Sequence, residues 1–441
     1  MFKTIKNAFK TPEIRKKILY TLLLIVLFRL GCYITIPMVD IVALQGSMDA
    51  YSNSVTGMIN MISGGAFSRL SIFAMSITPY ITASIVIQLL AMVIPSLERL
   101  TKEGGEEGRK LVDRYTKIIS LFLALVEGLG IYFSYQNSGV FVETGFKTGL
   151  IVVLSLVAGT SLLMWLGDKI TTKGIGNGIS MLIFAGIVSS VPSAITSIAG
   201  LASQDGSFST VGLITAILIA VGVLLLIVGV VFVQLAERKV PVQYSKKVVG
   251  RRMVGAQNTH IPIKPAMASV MPIIFASSFM TFPAMLIQLF VKDIENQSGF
   301  LRGLYNLSIA TSSSSVGWQY TIINAVIYLL LILGFTYFYT YATFNPAEVA
   351  NNIKQNGGFI PGIRAGKPTA DYLSSVLSKV TLFGGIFLAL IAIIPMLARG
   401  TGLNTAFGGT SILIVVGVAI ELSQQLQSLL VMKHYKGFLE K

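Results

Sequence analysis

Few residues in this chain have the types and spacing that chemistry requires. Cys32 is the only cysteine, and His260 and His434 are the only histidines, among 441 residues. An intrachain disulfide, a Cys/His metal cluster and a histidine proton relay therefore lack their parts. Two glycine-rich stretches invite a nucleotide reading and then fail it. In GIRAGKPT (362–369) the glycine spacing is wrong for a phosphate loop, and Pro368 stands where a Ser or Thr would hold magnesium. GIGNGIS (174–180) lacks the third glycine of a dinucleotide turn and follows no strand. Neither HExxH nor G-x-S-x-G occurs. No catalytic set, metal or cofactor is expected, and the residues argue for a binding or transport role over an enzyme.

The remaining chemistry-bearing residues are three ionisable groups set in apolar stretches: Arg29, Glu127 and Glu421. What they do depends on the elements that hold them. With 53% apolar and only 12% charged residues, and a mean hydropathy of +0.75, the chain cannot cover a water-soluble surface and reads as an integral membrane protein. Ten stretches approach the ~20 apolar residues of a bilayer-crossing helix: 18–37, 71–93, 118–135, 149–166, 178–200, 211–234, 267–290, 319–342, 380–397 and 408–430. The first of them, ILYTLLLIVLFRLGCYITIP, is too long for a signal peptide and precedes no small-x-small cleavage site.

The net charge of +15 would suggest nucleic acid in a soluble protein. Here the charges sort by side. Segments 1–17, 94–117, 167–177, 235–266, 343–379 and 431–441 carry 28 of the 34 Lys and Arg residues, and the opposite side carries five. By the positive-inside rule both termini are cytoplasmic. Ionisable groups within spans are functional candidates by default. Arg29 and Glu127 lie at similar depth, which suggests a structural ion pair. Glu421 sits near the cytoplasmic end of its span, within reach of the headgroups.

Three other features stand out. Residues 55–70 (VTGMINMISGGAFSRL) fit neither a span nor a loop, and read as an interfacial helix or a re-entrant piece shielded by protein or a water-filled cavity. Span 71–93 is polar, and Gln88 within it calls for a protein or aqueous neighbour. In loop 235–266, alternating Val240, Val242 and Tyr244 before Lys246, Lys247, Arg251 and Arg252 suggest a protruding basic hairpin. Loop 343–379 displays Arg364 among Pro361, Gly362, Gly366 and Pro368, which force turns. Such arginines set topology or dock carboxylates and phosphates.

Several long motifs, in order on these ten spans, resemble the SecY family, whose members are central subunits of the bacterial protein-translocation channel. They are SGGAFSRLSIFAMSITPYITASIVIQLL (63–90), WLGDKITTKGIGNGISMLIFAGI (165–187), AQNTHIPIK (256–264), MPIIFASS (271–278), FNPAEVANNIKQNGGFIPGIRAGKPT (344–369) and FGGTSILIVV (407–416). The resemblance implies an all-α, polytopic fold of ten transmembrane helices in two pseudo-symmetric five-helix halves, 18–200 and 211–430, hinged at the outer loop 201–210. It implies a waist of apolar residues at Ile77, Ile81, Ile179, Ile183, Ile274 and Ile414, and favours the re-entrant reading of 55–70 as a short plug helix with Met58, Asn60, Met61, Ser63, Gly64 and Gly65. A lateral gate between spans two and three and spans seven and eight would involve Gln88, Ser277, Ser278 and Phe282.

Arg251, Arg252 and Arg364 match loops that dock a SecA-type ATPase or a ribosome, ribosomal RNA included. SecE-like and SecG-like small membrane subunits, signal peptides, nascent polypeptides and the lipid bilayer complete the implied partners, in a bacterial cytoplasmic membrane. The implied function is passage of unfolded secretory chains across the membrane, with sideways release of transmembrane segments into lipid. Glu127 departs from the uncharged residue that the resemblance leads one to expect. The rival reading is a secondary transporter of inverted five-helix repeats, which should converge polar groups at mid-membrane.

Overall fold

A chain in hydrocarbon must satisfy its own backbone, and apolar stretches of this length do so as helices. Each of the ten expected stretches overlaps a helix, although 18–37 is helical only as far as Gly31. The computed structural model describes residues 2–44, 60, 63–102, 104–136, 138–201, 203–204, 207–208, 210–244, 247–249, 252–254, 258–265, 267, 270–290, 299–310, 317–400 and 409–439. Its helices are α1 Phe2–Lys10, α2 Pro12–Gly31, α3 Thr78–Val93, α4 Pro95–Lys102, α5 Gly105–Tyr135, α6 Phe146–Lys173, α7 Gly178–Leu201, α8 Thr210–Leu235, α9 Met271–Phe290, α10 Phe300–Ile309, α11 Trp318–Thr343, α12 Pro346–Gln355, α13 Lys367–Gly400 and α14 Gly409–Leu439. Among the described residues, seven helices are long and apolar enough to cross a membrane: α5, α6, α7, α8, α11, α13 and α14. Helices α3 and α9 are likewise apolar, over Thr78–Ala91 and Met271–Ala284, and α2 begins with Glu13, Arg15, Lys16 and Lys17.

The span expected at 71–93 is helical only from Thr78. Pro79 fits the first turn of a helix but not its interior, and Ser76 adopts a left-handed φ of 53°. Residues 71–77 instead run as turns. They pair with the segment after α2 through an isolated antiparallel bridge, Thr35 to Ser71, with the Ile36 amide donating to the Leu70 carbonyl and the Ile72 amide to the Ile34 carbonyl, each at 3.0 Å. The Ile72 carbonyl then lies directly against Gly159 of α6, where any Cβ would overlap it. Small residues permit this backbone approach, as they do in membrane helix packing generally.

Helix α3 packs on α5, α5 on α6 and α6 on α7; α9 packs on α11, α11 on α13, and α14 on α8 and α13. The two sets meet where α9 contacts α3 and α5, and where α7 contacts α8 and α14. One continuous buried apolar cluster runs through both sets, with Phe28, Ile77, Leu182, Ile273, Tyr328, Leu388 and Leu413 among its members. Leu218, Leu224, Leu225 and Phe232 on α8 are exposed, as suits a helix that faces lipid.

The fold adds a small β component to the expected all-α architecture. Within 201–210, β1 (Ser203–Gln204) pairs with β2 (Ser207–Phe208). In the cytoplasmic loops, β3 (Arg238–Tyr244) pairs antiparallel with β6 (Asn258–Ile263) and, on its other edge, with β7 (Gly358–Phe359). The hairpin of β4 (Lys247–Val249) and β5 (Arg252–Val254) lies between β3 and β6 in the chain. Alternating Val240 and Val242 bury one face of β3 against Ala350, Ile353, Ile360, Leu373 and Leu377. Two loops that read as separate thus share one core. Asn345 starts α12 by accepting from the Ala347 amide at 3.2 Å, a side-chain N-cap.

Candidate functional site

The six isoleucines expected at a waist come from four helices and their flanks, and all belong to the central cluster. Ile77, Ile81, Ile183, Ile274 and Ile414 are buried, and Ile179 packs against them partly exposed. Ile77 sits at the N-cap of α3, with Ile81 one turn on; Ile179 and Ile183 lie one turn apart on α7; Ile274 is on α9 and Ile414 on α14. β-Branched side chains are stiff at χ1. A closed constriction of such groups offers water nothing to bind and excludes ions by dewetting.

Residues 63–70 lie beside this cluster, with Ala66 a member of it. They are closed on themselves. The Gly65 amide donates to the Asn60 carbonyl at 2.8 Å, the Ser68 amide to Asn60 Oδ1 at 2.9 Å, the Phe67 amide to Ser63 Oγ at 3.2 Å, and Ser63 Oγ to the Asn60 carbonyl at 3.0 Å. Among the described residues of the expected plug, Asn60 is helical and Phe67–Arg69 forms a three-residue 3-10 turn. Two left-handed glycines, Gly64 (φ 66°) and Gly65 (φ 85°), break helical continuity. Met58 and Met61 lie outside the described residues.

The expected Arg29–Glu127 ion pair is not formed. Arg29 Nη1 donates to the Gly64 carbonyl at 2.8 Å, and its guanidinium lies 5.7 Å from the Tyr33 ring centroid. Glu127 is only 7% exposed and makes no hydrogen bond or ion pair among the described residues. Equal depth did not imply adjacency: α2 packs on α6 and α7, whereas α5, which carries Glu127, packs on α3, α6 and α9. Glu421 is exposed on α14.

Where α9 meets α3 and α5, the seam is polar on one side and aromatic on the other. Gln88 Nε2 donates to Ser84 Oγ at 3.0 Å on its own helix, and the Tyr339 phenol of α11 lies near it. Ser277 is buried and donates to the Ile274 carbonyl at 2.9 Å; Ser278 and Phe282 are part-buried. Phe275 packs on Phe335 and Tyr339 at 5.9 and 5.3 Å between centroids. Sequence reasoning missed Tyr339, which only its position beside Gln88 reveals. It also missed Lys117, which bridges Asp113 (2.9 Å) on α5 and Asp168 on α6; the four-residue spacing to Asp113 was the one available signal.

Arg364 is exposed on the turn formed by Gly362 (φ 82°) and Gly366 (φ 107°), and Thr369 Oγ1 donates to its carbonyl at 2.8 Å. It has no ion-pair partner among the described residues. Arg252 begins β5 and pairs with Val249 in the hairpin; Arg251 lies outside the described residues.

Comparison with known proteins places this geometry in context. The SecY family model matches residues 71–423. A protein translocase subunit SecY from Streptomyces scabiei is 42% identical, with 100% of both chains covered. Two solved structures share the fold. One is a SecY protein whose plug domain stabilizes the closed state of the translocation channel and maintains a membrane seal (TM-score 0.62, 17% identity, 96% of each chain). The other is Sec61 in the canine ribosome–channel complex (TM-score 0.61, 17% identity, 96% of each chain).

Proposed function

The chain belongs to the SecY family and is a multi-pass membrane subunit of a protein-translocation channel; from that premise we propose that its six-isoleucine cluster is the waist through which unfolded chains pass. The observation that carries the proposal is the convergence of Ile77, Ile81, Ile179, Ile183, Ile274 and Ile414, contributed by both halves, in one buried apolar cluster. A gasket of aliphatic groups holds no fixed charge and no directional bond. It closes against water when empty and deforms around an extended polypeptide of any sequence.

Residues 55–70 act as the plug over this waist, and the seam of α3 and α5 against α9 and α11 acts as the lateral gate, with Gln88, Ser277, Ser278 and Phe282 facing it. Opening that seam lets an apolar signal helix leave for lipid, favoured by roughly −0.3 to −0.6 kcal/mol per large apolar residue. Residues 201–210 serve as the hinge between the halves. The chain itself is the passive conduit and carries no catalytic step. Energy comes from partners, a SecA-type ATPase or a translating ribosome, that dock on the cytoplasmic platform built from β3, β6, β7 and α12, with Arg251, Arg252 and Arg364 as contacts. The solved Sec61 relative in a ribosome–channel complex supports the ribosome as one such partner. SecE-like and SecG-like subunits complete the assembly in a bacterial cytoplasmic membrane, with both termini cytoplasmic.

Reconstitution tests this reading. Proteoliposomes holding the chain with its small membrane subunits, supplied with motor and ATP, should render an unfolded signal-bearing precursor protease-protected. Full protease sensitivity with a correctly folded complex would overturn it.

A further inference from the structure

The last turn of α2 is aimed at residues 63–70. Arg29 Nη1 donates to the Gly64 carbonyl at 2.8 Å, and three residues on, the Cys32 thiol points to the adjacent Ser63 carbonyl at 3.9 Å. Tyr33, four residues from Arg29, takes the Arg69 guanidinium on its ring at 4.1 Å and that of Arg29 at 5.7 Å. Arg29 lies in the last turn of α2, Cys32 caps it and Tyr33 follows in the turn beyond. All three of their contacts thus reach a segment more than 30 residues away.

The contact is also enclosed from the far side. A Cβ on Gly64 would lie 2.6 Å from Arg29 Nη1, 2.7 Å from Ser189 Oγ and 2.9 Å from Gly186 Cα. Gly64 is therefore wedged between α2 and α7, in a left-handed conformation that glycine adopts without strain. Arg29 has no carboxylate partner among the described residues. A half-buried guanidinium at this depth has its charge met by a backbone carbonyl of the segment it holds.

We infer that Arg29 is a positioning residue that latches residues 63–70 shut against α2 and α7, and so sets how readily the channel opens. The inference rests on reading that segment as the closing plug. Moving the segment breaks a hydrogen bond to a charged donor, lifts Arg69 off Tyr33 and uncovers Cys32, which is 1% exposed and the only cysteine of the chain. Loss of one charge-assisted hydrogen bond corresponds to a roughly 10- to 100-fold shift in a closed–open equilibrium. A chain lacking the latch opens for signals too weak to open the native channel.

The native Cys32 thiol reports this directly. In the full channel complex reconstituted in vesicles, N-ethylmaleimide should modify Cys32 roughly 10- to 100-fold faster in Arg29→Gln than in the native chain. Arg29→Lys, which keeps a charged donor, should stay near the native rate. Gly64→Ala keeps the arginine but sets a Cβ against its Nη1, Ser189 Oγ and Gly186 Cα, so it should also speed modification. This second variant keeps the test open if Arg29→Gln fails to accumulate. Native protection of Cys32 in a folded Arg29→Gln or Gly64→Ala channel overturns the latch. Faster modification with unchanged ion conductance supports the latch and counts against the segment as the membrane seal, so the two readings fail separately.

Discussion

Replacing Ile77 and Ile414 together with Ser should make the resting channel leak ions. The two residues come from opposite halves of the chain, are 1% and 6% exposed, and belong to one apolar cluster. Each exchange removes the three terminal side-chain carbons and adds a hydroxyl. On octanol-like scales a hydroxyl eases the meeting of water with a site by about 0.5–2 kcal/mol. Two such groups therefore favour the wetted constriction by about 1–4 kcal/mol, a factor of roughly 5 to 1000 in its population. Single-channel recording in planar bilayers should register a corresponding rise in resting conductance. Ile391→Ser on α13 is the control, because Ile391 is 4% exposed in the same cluster but lies outside the six. It should lower detergent stability without producing a leak. Equal leak from both variants, or none from the double variant, would refute the assignment of these positions to the waist.

Two further outcomes follow from side chains whose surroundings differ in kind. Arg364→Glu changes an exposed residue on a glycine-flanked turn, so the protein should fold normally while motor or ribosome affinity falls by roughly 10- to 100-fold, the range of a lost charge-assisted contact; binding measured by co-sedimentation checks this, and native affinity would count against the docking role. Glu127 is buried with no partner among the described residues, so Glu127→Gln should leave the detergent melting temperature unchanged and Glu127→Leu should raise it by roughly 1–5 °C. Loss of assembly in Glu127→Leu would mean that the carboxyl has a partner after all.

What the sequence could reveal was set by the range of the interactions. Hydropathy is a local property, so each of the ten apolar stretches overlaps a helix even though the polar Gln88 and the charged Arg29 interrupt two of them. Helix ends were less legible. Pro79 marks the true start of α3, but the left-handed Ser76 and the approach of Ile72 to Gly159 depend on the neighbouring helix. Partners were least legible, because depth in the membrane says nothing about which helices touch. Arg29 therefore paired with a carbonyl of residue 64 rather than with Glu127. Long-range pairing has the same character: β3 joins β7 through Gln243 opposite Phe359 and Tyr244 opposite Gly358, across more than 100 residues. The alternation of Val240 and Val242 announced a strand, and only tertiary structure supplies its second neighbour. The candidate site was legible chiefly through motif resemblance, since a buried Ile in a membrane helix carries no local signature of its role.

The central claim, that polypeptides traverse the isoleucine cluster, is tested most directly by photocrosslinking. A benzophenone side chain placed at Ile274 should form an adduct with a secretory chain stalled in transit, and the same probe at Leu218, which is 66% exposed on α8, should not. An adduct at Leu218 with none at Ile274 would contradict the account.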